Sequence, residues 1–305
     1  MKKTVIILFV LLIASQVFPQ QAPIVSMYDL NKNFCNPAFT EGIVGLHSLN
    51  LLYRQQWTGF TNSPKTLGFN YVGQLNEKVG LGLLVINDNI GIFKQNSILA
   101  TYSYQIPLND NDLKLSFGLS AGVLIYGINF ADVTLQETDD PIMINQNTNV
   151  TLPDADFGLY LYQSKKYFLG ASAKHLFENK IKFNKDIPRT EESKLYRHYC
   201  FMGGYSFELP EDVDLETSVA VNAVRNSPAL LFIGVRGKYK YFNLGIAYRS
   251  SSELIPSIGI VYNNFVFGYS YDISFSELKN YHSNTHEIVL GFRFTKNKQA
   301  VPLIN

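Results

Sequence analysis

The chain has 305 residues, 46% of them hydrophobic and 14% aromatic, and a formal net charge of +1 at pH 7. Near neutrality leaves no basic field for a nucleic-acid partner, and no apolar run reaches the ~20 residues that a helical membrane span needs. So much apolar and aromatic surface without continuous hydrophobicity fits strands whose faces alternate, one face meeting lipid.

The first segment is Met1-Lys2-Lys3, then an apolar stretch from Val5 to Ala14, then a polar exit through Ser15, Gln16 and Gln20. That layout predicts a cleaved secretory signal peptide over residues 1–20. Its removal takes away Lys2 and Lys3 and turns the formal charge from +1 to −1. No cysteine follows the apolar stretch directly, which speaks against a lipoprotein anchor. Residues 21–45 carry Asn, Pro and Gly with little alternation, and read either as a periplasmic docking segment or as an internal plug.

From residue 46 onward the period is two. In 65–75, Leu67, Phe69, Tyr71 and Leu75 share one face, opposite Thr66, Gly68, Asn70 and Gln74; in 113–125, Leu113, Leu115, Phe117, Leu119 and Val123 alternate with Lys114, Ser116, Gly118, Ser120 and Gly122. A helix would scatter such residues around its axis. Strands are predicted at 46–54, 65–75, 78–87, 95–106, 113–127, 155–163, 166–176, 195–208, 213–224, 229–239, 241–250, 253–262, 264–273 and 284–294. These fourteen give an even count, which returns both ends of the barrel to the periplasm. Every long connection (55–64, 128–154, 177–194 and 274–283) follows an odd-numbered strand, and the links after even-numbered strands are brief. Outer-membrane barrels keep this parity, with short periplasmic turns and longer external loops. The expected architecture is therefore all-β: a transmembrane antiparallel barrel over 46–294, integral to the bacterial outer membrane, with a tail over 295–305.

The polar faces are rich in Gly, Ser, Asn and Thr with scattered charges at Lys114, Lys174, Arg236 and Arg249, and suit a lumen. The opposite faces carry Tyr71, Tyr104, Phe242, Tyr248, Tyr262, Tyr271 and Phe294 towards their ends, as interfacial girdles do. Of the two cysteines, Cys35 precedes the strands and Cys200 lies within them. They read as unpaired buried thiols, with a Cys35–Cys200 disulfide as the alternative that an oxidising compartment permits. His282 and His286 would lie about 13 Å apart on a strand, so no metal is expected, and no cofactor.

Three stretches exceed mere alternation. Asn33-Phe34-Cys35-Asn36-Pro37-Ala38-Phe39 precedes the first strand. Tyr53-Arg54-Gln55-Gln56-Trp57-Thr58-Gly59-Phe60, with Ser63-Pro64-Lys65-Thr66, joins the first two. Tyr269-Ser270-Tyr271-Asp272 and His286-Glu287-Ile288 close the chain. Together they resemble the PorP/SprF family of Bacteroidetes outer-membrane proteins, over nearly the whole mature chain. Asn284-Thr285 stands where many members have Gly-Ser, and Cys35 replaces a small or apolar residue.

The resemblance implies a part in the type IX secretion and gliding-motility apparatus. The chain would serve export or surface attachment of a large partner bearing a C-terminal sorting domain, alongside periplasmic components of the same apparatus. The family-signature and partner-binding candidates are Asn36, Pro37, Tyr53, Arg54, Gln56, Trp57, Gly59, Pro64, Tyr271, Asp272, His286 and Glu287. Trp57 reads either as an exposed anchor or as a residue folding its loop inward, and Tyr271-Asp272 with His286-Glu287 as a lumenal network fixing register. The rival function is a general diffusion pore, which requires an open lumen. Catalysis is not expected: Ser270, His286 and Asp272 have the chemistry of a hydrolase, but Gly-Tyr-Ser-Tyr-Asp lacks the glycine after the serine that a nucleophile elbow uses.

Overall fold

The computed structural model describes residues 23–40, 43–109, 112–129, 147–164, 166–182, 193–275 and 284–295. The expected signal peptide and C-terminal tail lie outside these residues, apart from the first residue of the tail. The strands are β1 Leu46–Gln55, β2 Lys65–Gln74, β3 Val79–Ile90, β4 Phe93–Pro107, β5 Leu113–Asn129, β6 Asn147–Gln163, β7 Tyr167–Lys174, β8 Lys180–Ile181, β9 Ser193–Lys194, β10 His198–Leu209, β11 Val213–Val224, β12 Leu230–Tyr239, β13 Phe242–Arg249, β14 Glu253–Tyr262, β15 Phe265–Ser274 and β16 Thr285–Thr295. All but β8 and β9 form one closed barrel of fourteen antiparallel strands in sequence order, sealed where β1 pairs with β16. The short pair β8 and β9 makes its own two-stranded sheet in the connection after β7.

The alternation of the sequence is the inside and outside of the wall. Along β15 the exposed residues Phe265 and Phe267 interleave with buried Val266, Gly268, Ser270 and Asp272. Apolar side chains lie exposed on strand after strand, including Leu119, Leu169, Leu244, Ile246 and Leu290. A belt of this kind would be an aggregation surface in water; facing hydrocarbon it matches its solvent, and barrel closure leaves no strand edge with unpaired backbone groups. Interfacial rings flank the belt. At the short-turn end His47 stacks on Phe294 and Tyr71, with centroids 5.1 and 5.9 Å away. Ile246→Arg, on the outer face in the middle of β13, is expected to cost about 2–4 kcal/mol. Guanidinium unfolding in lipid vesicles measures it, and an unchanged midpoint would mean that this face does not meet lipid.

The turns obey the parity of the sequence. Two-residue connections join β12 to β13 and β14 to β15, with Lys240 and Asn263 at φ of +51°. At the other end, the connection after β3 shrinks to Gly91 and Ile92, Gly91 taking φ +59°.

The largest departure from expectation is β6, which starts at Asn147 rather than 155 and pairs with β5 as far as Asn129. This hairpin is longer than its neighbours, and its first residues, Asn147-Thr148-Asn149-Val150-Thr151, are mostly polar. Val150 and Leu152 are the only apolar strand formers over 147–154, too short a run to mark a strand by alternation. β10 likewise begins at His198 rather than 195.

Candidate functional site

Residues 23–40 run through the lumen, as two 3-10 turns, Tyr28–Leu30 and Lys32–Phe34, with extended chain on either side. They touch the wall on every side, and the reasons lie in named residues at three levels.

At the long-loop end the segment meets buried charge. Glu287 of β16 accepts hydrogen bonds from two successive backbone N–H groups, those of Ser26 and Met27, both at 2.7 Å. The Ser26 hydroxyl donates to Asp272 of β15 at 2.5 Å and accepts from Arg54 at 2.5 Å and Arg249 at 2.8 Å. Arg54 is fully buried and ion-pairs with Asp272 at 2.9 Å and Glu287 at 3.1 Å. Arg249 binds Glu253 at 2.6 Å and Asp272 at 3.2 Å, and donates to the Val25 carbonyl at 3.3 Å. Two guanidinium groups thus face three carboxylates, and the Ser26 hydroxyl and the backbone around it add further hydrogen bonds. Arg54 and Glu287 are also register partners across the β1–β16 seam, so the cluster that holds the segment also ties the first strand to the last.

In the middle the contacts are apolar and close. Met27 and Phe34 pack with Leu52, Leu84, Ile86, Leu99 and Val289, all inward-facing. Tyr28 joins Cys35, Ala38, Tyr160, Phe168, Cys200 and Met202 in a second cluster. Met27 and Phe34, both buried, each contribute about 1.5–3 kcal/mol relative to exposure. Asn36 is buried, its amide donating to the Leu159 carbonyl at 2.8 Å and its carbonyl oxygen accepting from Ala38 N–H at 2.9 Å. Pro37 and Ala38 lie against Gly118 of β5, where a Cβ would run into their backbone. Here glycine is required by the close approach of two chains.

Towards the short-turn end, Asp29 pairs with Arg236 of β12, and Lys32 lies 3.6 Å from Glu216, which also binds Lys238 at 2.9 Å. A space of about 180 Å³ with a mixed lining remains beside Asp29, Lys32, Thr40, Asn70 and Glu216, and a mainly apolar one of about 70 Å³ beside Pro23, Val25 and Cys200.

The structure divides the family-signature residues into three groups. Asn36, Pro37, Arg54, Asp272 and Glu287 converge on the lumenal segment. Tyr53, Tyr271 and His286 point outward: Tyr53 is exposed, and the rings of Tyr271 and His286 lie 5.0 Å apart on the lipid side. Gln56, Trp57, Gly59 and Pro64 shape the β1–β2 loop, where Gln56 N–H donates to the Pro64 carbonyl at 2.9 Å and Trp57 N–H to Thr285 at 3.3 Å. Trp57 is half-buried with φ +50°. Because neighbours on a strand face opposite sides, Ser270 and Asp272 point into the lumen while His286 points out, and a hydrolase triad does not assemble from them.

What sequence reasoning missed is the apolar strip on the inner wall. It had a signal: the doublets Leu51-Leu52, Leu83-Leu84, Val85-Ile86, Ile98-Leu99 and Ile288-Val289 break the alternation, and in each the second residue turns inward onto the segment. Also unforeseen are Ser26, Met27 and Glu253. Among the described residues, Asp154, Asp156 and His175 bring possible metal-binding atoms within 4.8 Å of one another. They already satisfy one another and the backbone, His175 Nδ1 lying 2.7 Å from Asp154 and His175 N–H donating to Asp156 at 3.0 Å. His282 lies outside the described residues.

The profile of the family described as "Type IX secretion system membrane protein PorP/SprF" matches residues 17–292. No curated protein matches the chain. Among solved structures, the toluene transporter TbuX of Ralstonia pickettii is similar at a TM-score of 0.52 and 10% identity, covering 85% of this chain and 92% of that one. A FadL homologue of Pseudomonas aeruginosa gives 0.49 at 11% identity, covering 85% and 91%. At 10% identity the likeness to TbuX shows the fold, an outer-membrane barrel.

Proposed function

Because the chain belongs to the PorP/SprF family of type IX secretion system membrane proteins, we propose that this outer-membrane barrel serves the export or cell-surface attachment of one particular large protein, an adhesin-like client with a C-terminal sorting domain. Bilayer lipid and other components of the secretion apparatus are its general surroundings; the client is the specific partner of this reading. On the same reading the mature chain begins near Gln21, after signal-peptide cleavage.

One observation favours a client-handling barrel over a diffusion pore: the lumen is occupied by the protein's own residues 23–40, anchored by the buried cluster of Arg54, Arg249, Asp272 and Glu287. A pore for solutes needs a continuous aqueous path, whereas an adaptor needs a rigid, closed body that presents its external loops and turns to partners.

The test is affinity purification of the tagged barrel from outer membranes in mild detergent, with mass spectrometry of what accompanies it. Recovery of a large secreted protein carrying a C-terminal sorting domain is expected. A barrel recovered alone, under conditions that keep other outer-membrane complexes intact, overturns the proposal.

A further inference from the structure

Cys35 lies in the lumenal segment, at the end of its second 3-10 turn, and Cys200 lies on the inner face of β10. Two independent contacts bring them together. The Cys35 carbonyl accepts a hydrogen bond from the Ser172 hydroxyl at 2.5 Å, and Ser172 is the register partner of Cys200 across β7 and β10. The wall position beside Cys200 therefore holds the backbone of Cys35. The Tyr28 hydroxyl lies 3.5 Å from the Cys200 sulfur, and both cysteines belong to the cluster that Tyr28 shares with Ala38, Tyr160 and Met202. Both are buried.

An outer-membrane protein folds and remains outside the cytosol, beyond the glutathione and thioredoxin that keep thiols reduced. We propose that Cys35 and Cys200 are joined by a disulfide in the mature protein, a covalent staple between the lumenal segment and the barrel wall. The thiolate of one cysteine attacks the disulfide of a thiol oxidase and forms a mixed disulfide, releasing one oxidase thiol. The second cysteine then displaces the other oxidase sulfur. Two S–H bonds are lost and one S–S bond is formed, while two electrons and two protons leave with the oxidase as its dithiol. The exchange takes place before the barrel closes around the segment, since in the finished fold both sulfurs are out of reach of another protein. The staple does not depend on which client the barrel serves; its consequence is that the segment stays tied to β10 even if its polar contacts at Glu287 open.

The thiol state is read on the full-length protein from cells quenched in acid. The unfolded chain is alkylated with iodoacetamide before or after reduction and weighed intact. No adduct without reduction, two adducts after it, and a linked peptide pair containing Cys35 and Cys200 are expected. Two adducts without reduction, or one adduct marking a cysteine bound to another molecule, overturn the proposal. Cys35→Ser keeps the size and hydrogen bonding of the site, and in that variant Cys200 is expected to take one adduct without reduction. Protection of Cys200 in Cys35→Ser would show a different partner and overturn it equally.

Discussion

Arg54→Ala is expected to lower the unfolding free energy of the barrel by about 3–5 kcal/mol, the cost of leaving the other members of a buried ion pair uncompensated. Arg54 is fully buried, 2.9 Å from Asp272 and 3.1 Å from Glu287, and among the described residues its loss would leave Asp272 with Arg249 alone and Glu287 with no guanidinium partner. The effect extends beyond the pair for two reasons. Ser26 loses a donor to its hydroxyl, which loosens the start of the lumenal segment. Arg54 and Glu287 also face each other across the seam between β1 and β16, whose pairing joins the two ends of the chain and carries the highest loop-closure cost in the barrel. Reversible guanidinium unfolding in lipid vesicles, followed by far-ultraviolet circular dichroism, measures the change. The double variant Arg54→Met with Glu287→Leu removes both charges at once and should lose less than the sum of the two single variants, because no lone charge is created at that pair. An Arg54→Ala barrel as stable as the parent would show that the cluster is open to water and contributes neither anchoring nor closure.

Removing the lumenal segment should convert a closed barrel into a conducting one. In planar bilayers the intact protein is expected to give no stable current steps, and a variant lacking residues 23–40 to give them. Gly118→Leu disturbs the same barrier without deletion: a side chain at Gly118 takes the space of Pro37 and Ala38, and that part of the segment must leave its seat. Stable steps in both variants and none in the parent would locate the barrier in the segment. Equal conductance in parent and deletion variant would mean that ions pass beside it, and the diffusion-pore reading would then lead.

The fold was unusually open to reading because lipid and lumen are two unlike solvents on the two faces of every strand. A strand with one lipid face must alternate, and ten residues of alternation mark each crossing, so fourteen strands could be counted and their sides assigned from connection lengths. Where that contrast ends, so does legibility. Residues 147–154 of β6 extend the hairpin with only Val150 and Leu152 to suggest alternation. Residues 23–40 follow no regular period because they lie in single, irregular chain among many partners, and their sequence suited a docking segment and a plug equally well.

The site was half legible in the same sense. Asn36, Arg54, Asp272 and Glu287 stood out as family-signature residues, but no spacing rule brings Glu287 to Ser26, which precedes it by 261 residues. The last strand pairs with the first only because the barrel closes, and closure puts Arg54 opposite Glu287. The sequence by itself determined that the chain is a membrane barrel, how many strands it has and which face of each meets lipid, since each of these follows from local alternation against a uniform solvent. Only the tertiary structure decided what fills the lumen, that the doublet-breaking leucines turn inward to Met27 and Phe34, and that two distant cysteines meet. Those contacts join residues far apart in the chain, and a local pattern carries no information about which of them the closed wall will bring together.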